Sequence, residues 1–323
     1  MRVLITGGAG YIGSHLVDAL IKRGNEVLVI DNLSTGKIEN LRHLLGHPSF
    51  HFINDSILNE QLLERFVPSM DLIFHLAAAV GVRNVLQDPL AAINTNVRGT
   101  EVVLGLAFKY WKRLVLASTS EIYGKASHVP FREDDDRVLG STAVARWSYS
   151  MSKAVDEHFA FAYAAKGLPV SIVRYFNSYG PRLDERGYGS VVANFIRQAL
   201  RGDSITVHGD GKQTRCFTYI EDAVAGTLLA GEVKEALGEA FNIGSTRESS
   251  ILDLAKAIKR LTRSKSPIEF VAYEAYYGEG FEDTRRRVPS ADKAKRLLGF
   301  TAKVDLEAGL KKTIAWCREH FAH

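Results

Sequence analysis

Short apolar runs and stretches of helical periodicity alternate along most of the chain. Arg2-Val-Leu-Ile-Thr6 has strand length and β-branched character, and Tyr11 to Arg23 places Ile12, Leu16, Ala19 and Leu20 on one helical face. Glu26–Ile30 reads as a second strand closed by Asp31, and His51–Asn54 as a third with Asp55 at its end. Leu58–Phe66 reads as a short helix, Asp71–Leu76 as a fourth strand and Pro89–Lys109 as a long helix entered after Asp88. Arg113–Ala117 is a fifth strand, and a helix running to about Lys166 carries Tyr149. Further on, Ser190–Arg201, Ile251–Leu261 and Leu306–His320 have helical patterns, and Phe241–Gly244 is a short strand. Strands alternating with helices at this spacing predict an α/β protein with a doubly wound parallel sheet.

The turn between the first strand and first helix is chemically specific. Gly7, Gly10 and Gly13 recur every three residues. Glycines let a backbone turn tightly and approach a pyrophosphate, while the helix start offers free N–H groups to the anion. An acid ending the second strand hydrogen-bonds a ribose 2′-OH and repels a 2′-phosphate, so Asp31 favours NAD over NADP. The loop Asn32-Leu-Ser-Thr-Gly36 is placed to wrap that ribose. Asp55 either receives the adenine amino group or is a strand-end turn residue. Small Ala77–Ala79 after the fourth strand permit close approach of a flat ligand. The unit predicts a Rossmann-type NAD site.

Bulk properties fit a globular enzyme. The 323 residues suffice for about two domains. Subtracting 37 acidic from 41 basic residues leaves +4, which makes no case for nucleic acid. No apolar run approaches the ~20 residues of a membrane span. The chain enters a strand at once, so no secretory leader is expected. Cys216 and Cys317 lie far apart and read as reduced thiols of a cytoplasmic protein. His43, His47 and His51 lack a completing acid or cysteine, so no metal site is expected. Glu133-Asp-Asp-Asp136 reads as a solvated loop or helix start.

Ligands of doubly wound folds sit at the carboxyl ends of the strands. The fifth strand ends there in Ser118-Thr119-Ser120-Glu121-Ile-Tyr-Gly124. Tyr149 and Lys153 share a helical face one turn apart. A neighbouring ammonium lowers a phenol's pKa, which makes Tyr149 a candidate general base.

Together these residues resemble the extended short-chain dehydrogenase/reductase superfamily, within its NAD-dependent nucleotide-sugar epimerase/dehydratase group. The motifs are Gly7-Gly-Ala-Gly-Tyr-Ile-Gly13, Asp31-Asn-Leu33, His75-Leu-Ala-Ala78, Asn94-Thr-Asn96-Val-Arg-Gly99, Ser118–Gly124, Tyr149/Lys153, Arg174-Tyr-Phe-Asn177 and Gly180-Pro-Arg182. The resemblance covers nearly the whole chain. It implies a Rossmann domain over 1–177, to which parts of 215–245 return, and a smaller interleaved α/β substrate domain over 178–323. It implies Thr119, Tyr149 and Lys153 as the catalytic set. NAD would lie against Gly7, Gly10, Tyr11, Ile12, Gly13, Asp31, Asn32, Ser34, Thr35, Gly36, Asp55, Ile57, Leu76, Ala77, Ala78, Asn96, Ser118, Tyr149, Lys153 and Tyr175. A UDP-sugar would meet Val80, Thr119, Ser120, Glu121, Tyr149, Asn177, Arg182, Val191, Asn194, Thr206, Val207, Arg215 and Arg287. Of Arg285–Arg287, one is expected to point inward. A homodimer through the helices Pro89–Lys109 and that of Tyr149 is also implied.

The resemblance implies a mechanism that starts by oxidising the sugar at C4, from which three outcomes branch. A 4,6-dehydratase of this family carries Asp-Glu directly after its Thr, whereas Thr119 is followed by Ser120-Glu121. C4 epimerisation of a UDP-sugar (glucose/galactose or the corresponding uronates) is the first expectation. The alternative is UDP-glucuronate decarboxylase, which Thr119-Ser-Glu121, Arg146-Trp-Ser-Tyr149 and Gly278-Glu-Gly-Phe-Glu-Asp283 followed by Arg287-Val-Pro289 resemble. A non-catalytic NAD-binding regulator is the third.

Overall fold

The computed structural model describes residues 1–184, 190–272 and 284–321, with the backbone alone at 82–84. The chain alternates as the pattern predicts: β1 (Arg2–Thr6), α1 (Tyr11–Lys22), β2 (Glu26–Ile30), β3 (Phe50–Ile53), α2 (Glu60–Phe66), β4 (Leu72–His75), α3 (Val82–Gln87), α4 (Pro89–Lys109), β5 (Arg113–Thr119), α5 (Trp147–Ala165) and β6 (Val170–Tyr175). The second half adds β7 (Ser178–Tyr179), α6 (Val191–Arg201), β8 (Ile205–His208), β9 (Thr214–Cys216), β10 (Thr218–Tyr219), α7 (Ile220–Glu232), β11 (Ala240–Ile243), β12 (Glu248–Ser250), α8 (Ile251–Thr262), β13 (Ile268–Val271) and β14 (Arg286–Arg287). Helices Asp292–Leu298 and Leu306–His320 end the chain.

Seven strands form one parallel sheet in the order β11-β6-β5-β4-β1-β2-β3. The strands are buried on both faces, as a parallel sheet between helices requires. Successive side chains alternate between the two layers. Val3 and Ile5 of β1 join the core under α1 and α7, while Leu4 joins the one under α2, α4 and α5. Asp88 caps α4 by accepting from the Ala91 N–H, and Pro89 fills its first turn, where no N–H is needed.

The order reverses between β1 and β4, whose carboxyl ends are Thr6 and His75. Such a switch point opens a crevice for ligand. Above it, the second half builds a cap from α6, α8, the pair β8/β13 and the three-stranded sheet β12-β9-β14. The cap is continuous with the main body: Val192, Phe195, Ile205 and Leu254 belong to the same core as Val3 and Leu16. β11 lies in the main sheet beside β6, and α7 packs on α1.

Candidate active site

A cleft of about 370 Å³ opens at the switch point. Its floor is the glycine turn. Gly7 has φ +75°, and a Cβ there would lie 2.6 Å from the Ala77 nitrogen; one on Gly13 would lie 2.3 Å from the Gly7 carbonyl oxygen. Only glycines let β1, the start of α1 and the end of β4 come this close. No side chain caps α1 at Gly10, so its first N–H groups are free for an anion. Asp31 Oδ2 accepts from the Ala9 N–H (2.9 Å) and Oδ1 from the Leu33 N–H (2.8 Å). Burial pushes its pKa up, and the backbone donors oppose that shift. A Cβ on Gly36 would sit 2.9 Å from this carboxylate, so the glycine lets the loop pass over it.

Most of the residues expected at the cofactor line this one cleft: Gly7, Gly10, Tyr11, Ile12, Gly13, Asp31, Asn32, Ser34, Thr35, Asp55, Ile57, Leu76, Ala77, Ala78 and Tyr175. Val80 is at its mouth. A cradle that a Cβ would fill, free helix N–H groups and a strand-end acid together fit a dinucleotide. Ile30, Thr95, Ala117, Ser178, Leu183, Asp184 and Ser190 also line it. Thr95 lies in the Asn94–Gly99 motif; the other six carry no motif of their own and are legible only through the fold.

Two expected cofactor contacts are corrected. The Asn96 side chain is committed to protein: Oδ1 accepts from the Ala79 N–H (2.7 Å), and Nδ2 donates to Ser152 Oγ (3.0 Å). It fixes the cleft wall from behind. Ser118 Oγ donates to Glu157 Oε1 at 2.5 Å and is likewise turned away. Glu157 is itself held by Arg174 through both carboxylate oxygens (3.0 and 2.7 Å), and Arg174 reaches the Tyr123 hydroxyl at 2.8 Å. Tyr123 then donates to Asn242 of β11. This buried network behind β5 was missed in the sequence, although Arg174 was quoted as a motif. Glu133 belongs to it as well, since its Oε1 accepts from the Asn242 N–H at 2.8 Å. The solvated run expected at Glu133–Asp136 therefore has one inward member.

Thr119 ends β5, with its Oγ1 accepting from the Glu121 N–H at 3.2 Å. The Tyr149 hydroxyl is hydrogen-bonded to Thr119. Burial pushes the Tyr149 pKa up, the Glu121 and Asp156 carboxylates add to this, and the Thr119 bond opposes it. The expected depression by Lys153 is absent, because Lys153 Nζ donates to Asp156 Oδ2 at 2.7 Å and both groups are buried.

On the cap side, β14 runs beside β9 with Arg287 in register with Arg215. Both arginines are buried. Arg287 Nη1 faces Glu121 Oε1 at 3.6 Å, bringing the turn after β5 against the cap. Arg285 and Arg286 are exposed and pair with Asp210 and Glu248. Asn177 has φ +32°, and its Oδ1 is buried without a hydrogen-bond partner among the described residues. Ser120 is buried in the turn before Glu121. Val191 and Asn194 lie in the first turn of α6. Three residues expected at the substrate are engaged by protein. Arg182 Nη2 pairs with Asp18 of α1 at 2.7 Å, while its Nη1 is buried with no hydrogen-bond partner among the described residues. Val207 is wholly in the core, and Thr206 is bonded to Gln198, so β8 presents little but backbone. Gly278–Asp283 lies outside the described residues.

Among the described residues no group of three His, Cys, Asp or Glu could hold a metal ion, and no helix is long and apolar enough to cross a membrane.

The GDP-mannose 4,6 dehydratase family matches residues 4–313. A UDP-N-acetyl-alpha-D-glucosaminuronate decarboxylase from Bacillus cytotoxicus is 47% identical over 98% of both chains. UDP-glucuronic acid decarboxylase 1 of Xenopus tropicalis is 40% identical over the whole chain and 73% of its own length. The crystal structure of a UDP-glucuronic acid 4-epimerase from Bacillus cereus, in complex with UDP-glucuronic acid and NAD, superimposes with a TM-score of 0.87 at 31% identity, covering 99% of this chain and 100% of that one. The chain thus belongs to the GDP-mannose 4,6 dehydratase family of NAD-dependent nucleotide-sugar enzymes, in the short-chain dehydrogenase/reductase superfamily.

Proposed function

We propose that the chain is a UDP-uronate decarboxylase, a lyase that removes the C6 carboxylate of a UDP-linked uronic acid as CO₂. The decarboxylase relatives support this outcome over the epimerase expected first, and one observation supports a uronate as the substrate. Arg287, buried in the cap, faces Glu121 two residues beyond Thr119. A uronate brings a second carboxylate to a place that already holds Glu121. A buried guanidinium, with its fork of donors, makes that tolerable.

NAD⁺ held by the Gly7–Gly13 turn and Asp31 would supply hydride chemistry at C4. Tyr149 takes the proton of the 4-OH, and Thr119 holds the oxygen by a hydrogen bond. The resulting 4-keto uronate is a β-keto acid, so its C5–C6 bond can break with the electron pair delocalised onto the C4 oxygen. Arg287 orients the departing carboxylate, and Glu121 is placed to hold a water that gives C5 the proton it must then gain, the hydroxide being neutralised by the proton lost from the 4-OH. Arg215, beside Arg287, is suited to the pyrophosphate. The enzyme works as a cytoplasmic homodimer joined through α4 and α5, where Leu90, Ile93, Met151 and Phe161 are exposed; light scattering giving a monomer mass would refute that assembly.

The test is proton NMR of the purified protein with UDP-glucuronate, UDP-N-acetylglucosaminuronate and UDP-glucose in separate tubes. A UDP-pentose, or its N-acetylated counterpart, with release of CO₂ supports the lyase and identifies the sugar. A six-carbon C4 epimer overturns it in favour of the epimerase, the activity named for the structurally similar Bacillus cereus enzyme. Retained NAD with no turnover of any sugar leaves a non-catalytic regulator.

A further inference from the structure

Beneath the cleft, buried polar side chains run in a line from the glycine turn to α5. The Thr6 hydroxyl, at the end of β1, meets His75 Nδ1 at 2.7 Å, and His75 Nε2 meets the Thr100 hydroxyl of α4 at 3.1 Å. Thr100 in turn is hydrogen-bonded to the Asp156 carboxylate; burial pushes the Asp156 pKa up, and Lys153 and the Thr100 bond oppose that rise. Asp156 closes the line by pairing with Lys153. Thr6, Thr100 and Asp156 are fully buried, and His75 and Lys153 nearly so. On α5 the order is Tyr149, Lys153, Asp156: base, lysine and carboxylate on successive turns of one face.

We propose that Asp156 is a positioning residue for the reaction: it holds the Lys153 ammonium in a buried ion pair one turn from Tyr149 and so sets the pH range over which Tyr149 acts as base. The proposal rests on the reading of Tyr149 as base given above.

Desolvating two charges is costly, so a buried pair beside reacting groups is not explained by stability alone. An unpaired Lys153 would favour the phenolate strongly. Paired, the lysine and Asp156 form a unit without net charge, and the phenol keeps its proton to higher pH. The other charged groups facing this spot have partners of their own. Glu121, after β5, faces Arg287 of β14 rather than Lys153; it acts on the Tyr149 phenol directly, raising its pKa more than Asp156 does. Glu157, next on α5, is held by Arg174 of β6. His75 of β4 is kept neutral by burial and by the Lys153 charge. Asp156 is therefore the carboxylate whose charge acts on Tyr149 through Lys153.

Replacing Asp156 by Asn keeps the shape and an acceptor for Nζ but removes the charge. The ammonium is then uncompensated, the phenolate is favoured and the pKa of Tyr149 falls. The acid limb of kcat/KM is expected to move about one pH unit lower in Asp156→Asn, the size of one carboxylate charge acting at roughly 10 Å through a protein interior. Asp156→Glu, which restores the charge, should bring the limb back toward that of the parent. If Asp156→Asn does not accumulate folded, Asp156→Ser gives the same test with a smaller side chain. A second readout needs no turnover: the near-ultraviolet phenolate absorbance of each NAD-bound protein, minus that of its Tyr149→Phe counterpart, titrates Tyr149 directly. Its midpoint should fall by the same amount. A folded Asp156→Asn whose limb and phenolate midpoint match the parent overturns the proposal. So does loss of turnover at every pH with an unmoved midpoint, which would make Asp156 a purely structural counterion. Turnover persisting in Tyr149→Phe would instead sink the base reading itself, and the titration keeps the two failures apart.

Discussion

Replacing Arg287 by Gln removes one charge from the contact between the cap and the end of β5. Its Nη1 lies 3.6 Å from Glu121 Oε1, and the two side chains are 8% and 20% exposed. At that distance and an effective dielectric of about 20, the attraction is about 4–5 kcal/mol. The net loss is smaller, because Gln still donates a hydrogen bond. The orienting contact to a substrate carboxylate is a charge-assisted hydrogen bond of about 2–3 kcal/mol. That corresponds to a drop of about 30- to 150-fold in kcat/KM on a UDP-uronate. The assay is the initial rate of pentose formation by proton NMR, with NAD content and melting temperature measured on the same preparation. Arg285→Gln and Arg286→Gln are matched controls, since both residues are exposed, and should stay within about twofold of the parent. A folded, NAD-loaded Arg287→Gln within threefold of the parent would refute the assignment of Arg287 to the uronate carboxylate.

Tyr149→Phe should retain NAD and lose turnover by at least about a hundredfold, since one general base is worth that much; measurable NMR turnover near the parent rate would contradict it. Asp31→Ala should lower the preference for NAD over NADP by about tenfold or more, and because Asp31 also holds the Ala9 and Leu33 N–H groups, NAD affinity itself should fall; calorimetric titration with both nucleotides decides, an unchanged ratio going against the assignment. His75 sets an acid limit on stability. Burial, with the Lys153 charge, lowers its pKa from 6.5 to about 3. The unfolded chain therefore binds a proton that the folded chain refuses, so the stability this group gives is present in full above about pH 6.5 and lost progressively as pH falls toward 3. Urea midpoints measured at several values across that window should fall more steeply for the parent than for His75→Asn, and parallel slopes would count against it.

The fold was legible because each strand and helix of the first half carries its own periodicity. Pro89–Lys109 and Leu306–His320 have in the structure the bounds the pattern predicts. The glycine turn was legible for a different reason: its residues are forced by backbone distances, and a Cβ at Gly13 has nowhere to go. Side-chain partners were not legible. Asn96 and Ser118 sit near the site in sequence terms, yet each spends its side-chain hydrogen bonds on protein, at Ala79 and Glu157, and one end of Arg182 is held by Asp18. No spacing rule reports which way a polar side chain turns when two partners compete for it. The pairing of Lys153 was invisible for the same reason, since Tyr149 and Asp156 flank it at comparable helical distances and only the packing chooses between them. Of the three consecutive arginines, the alternation of a strand sends Arg287 inward and Arg286 outward, but which of the two parities faced the cap depended on the register with β9.

The return of Ala240–Ile243 to the edge of the main sheet governs how this protein can be cut and recombined. A break after Asn177 would strip β6 of its neighbour and leave a long apolar strand with open N–H and C=O groups, a template for aggregation. The amino-terminal portion is thus not a portable NAD module. Chimaeras that exchange sugar recognition between relatives need two donor segments, α6 to β9 and β12 onward, with α7 and β11 between them kept from the host, so that β8/β13 and β12-β9-β14 also stay matched. Grafts made that way keep every strand pair of the sheet, whereas a single splice at the apparent boundary gives a donor strand and a host strand that have never been selected to match.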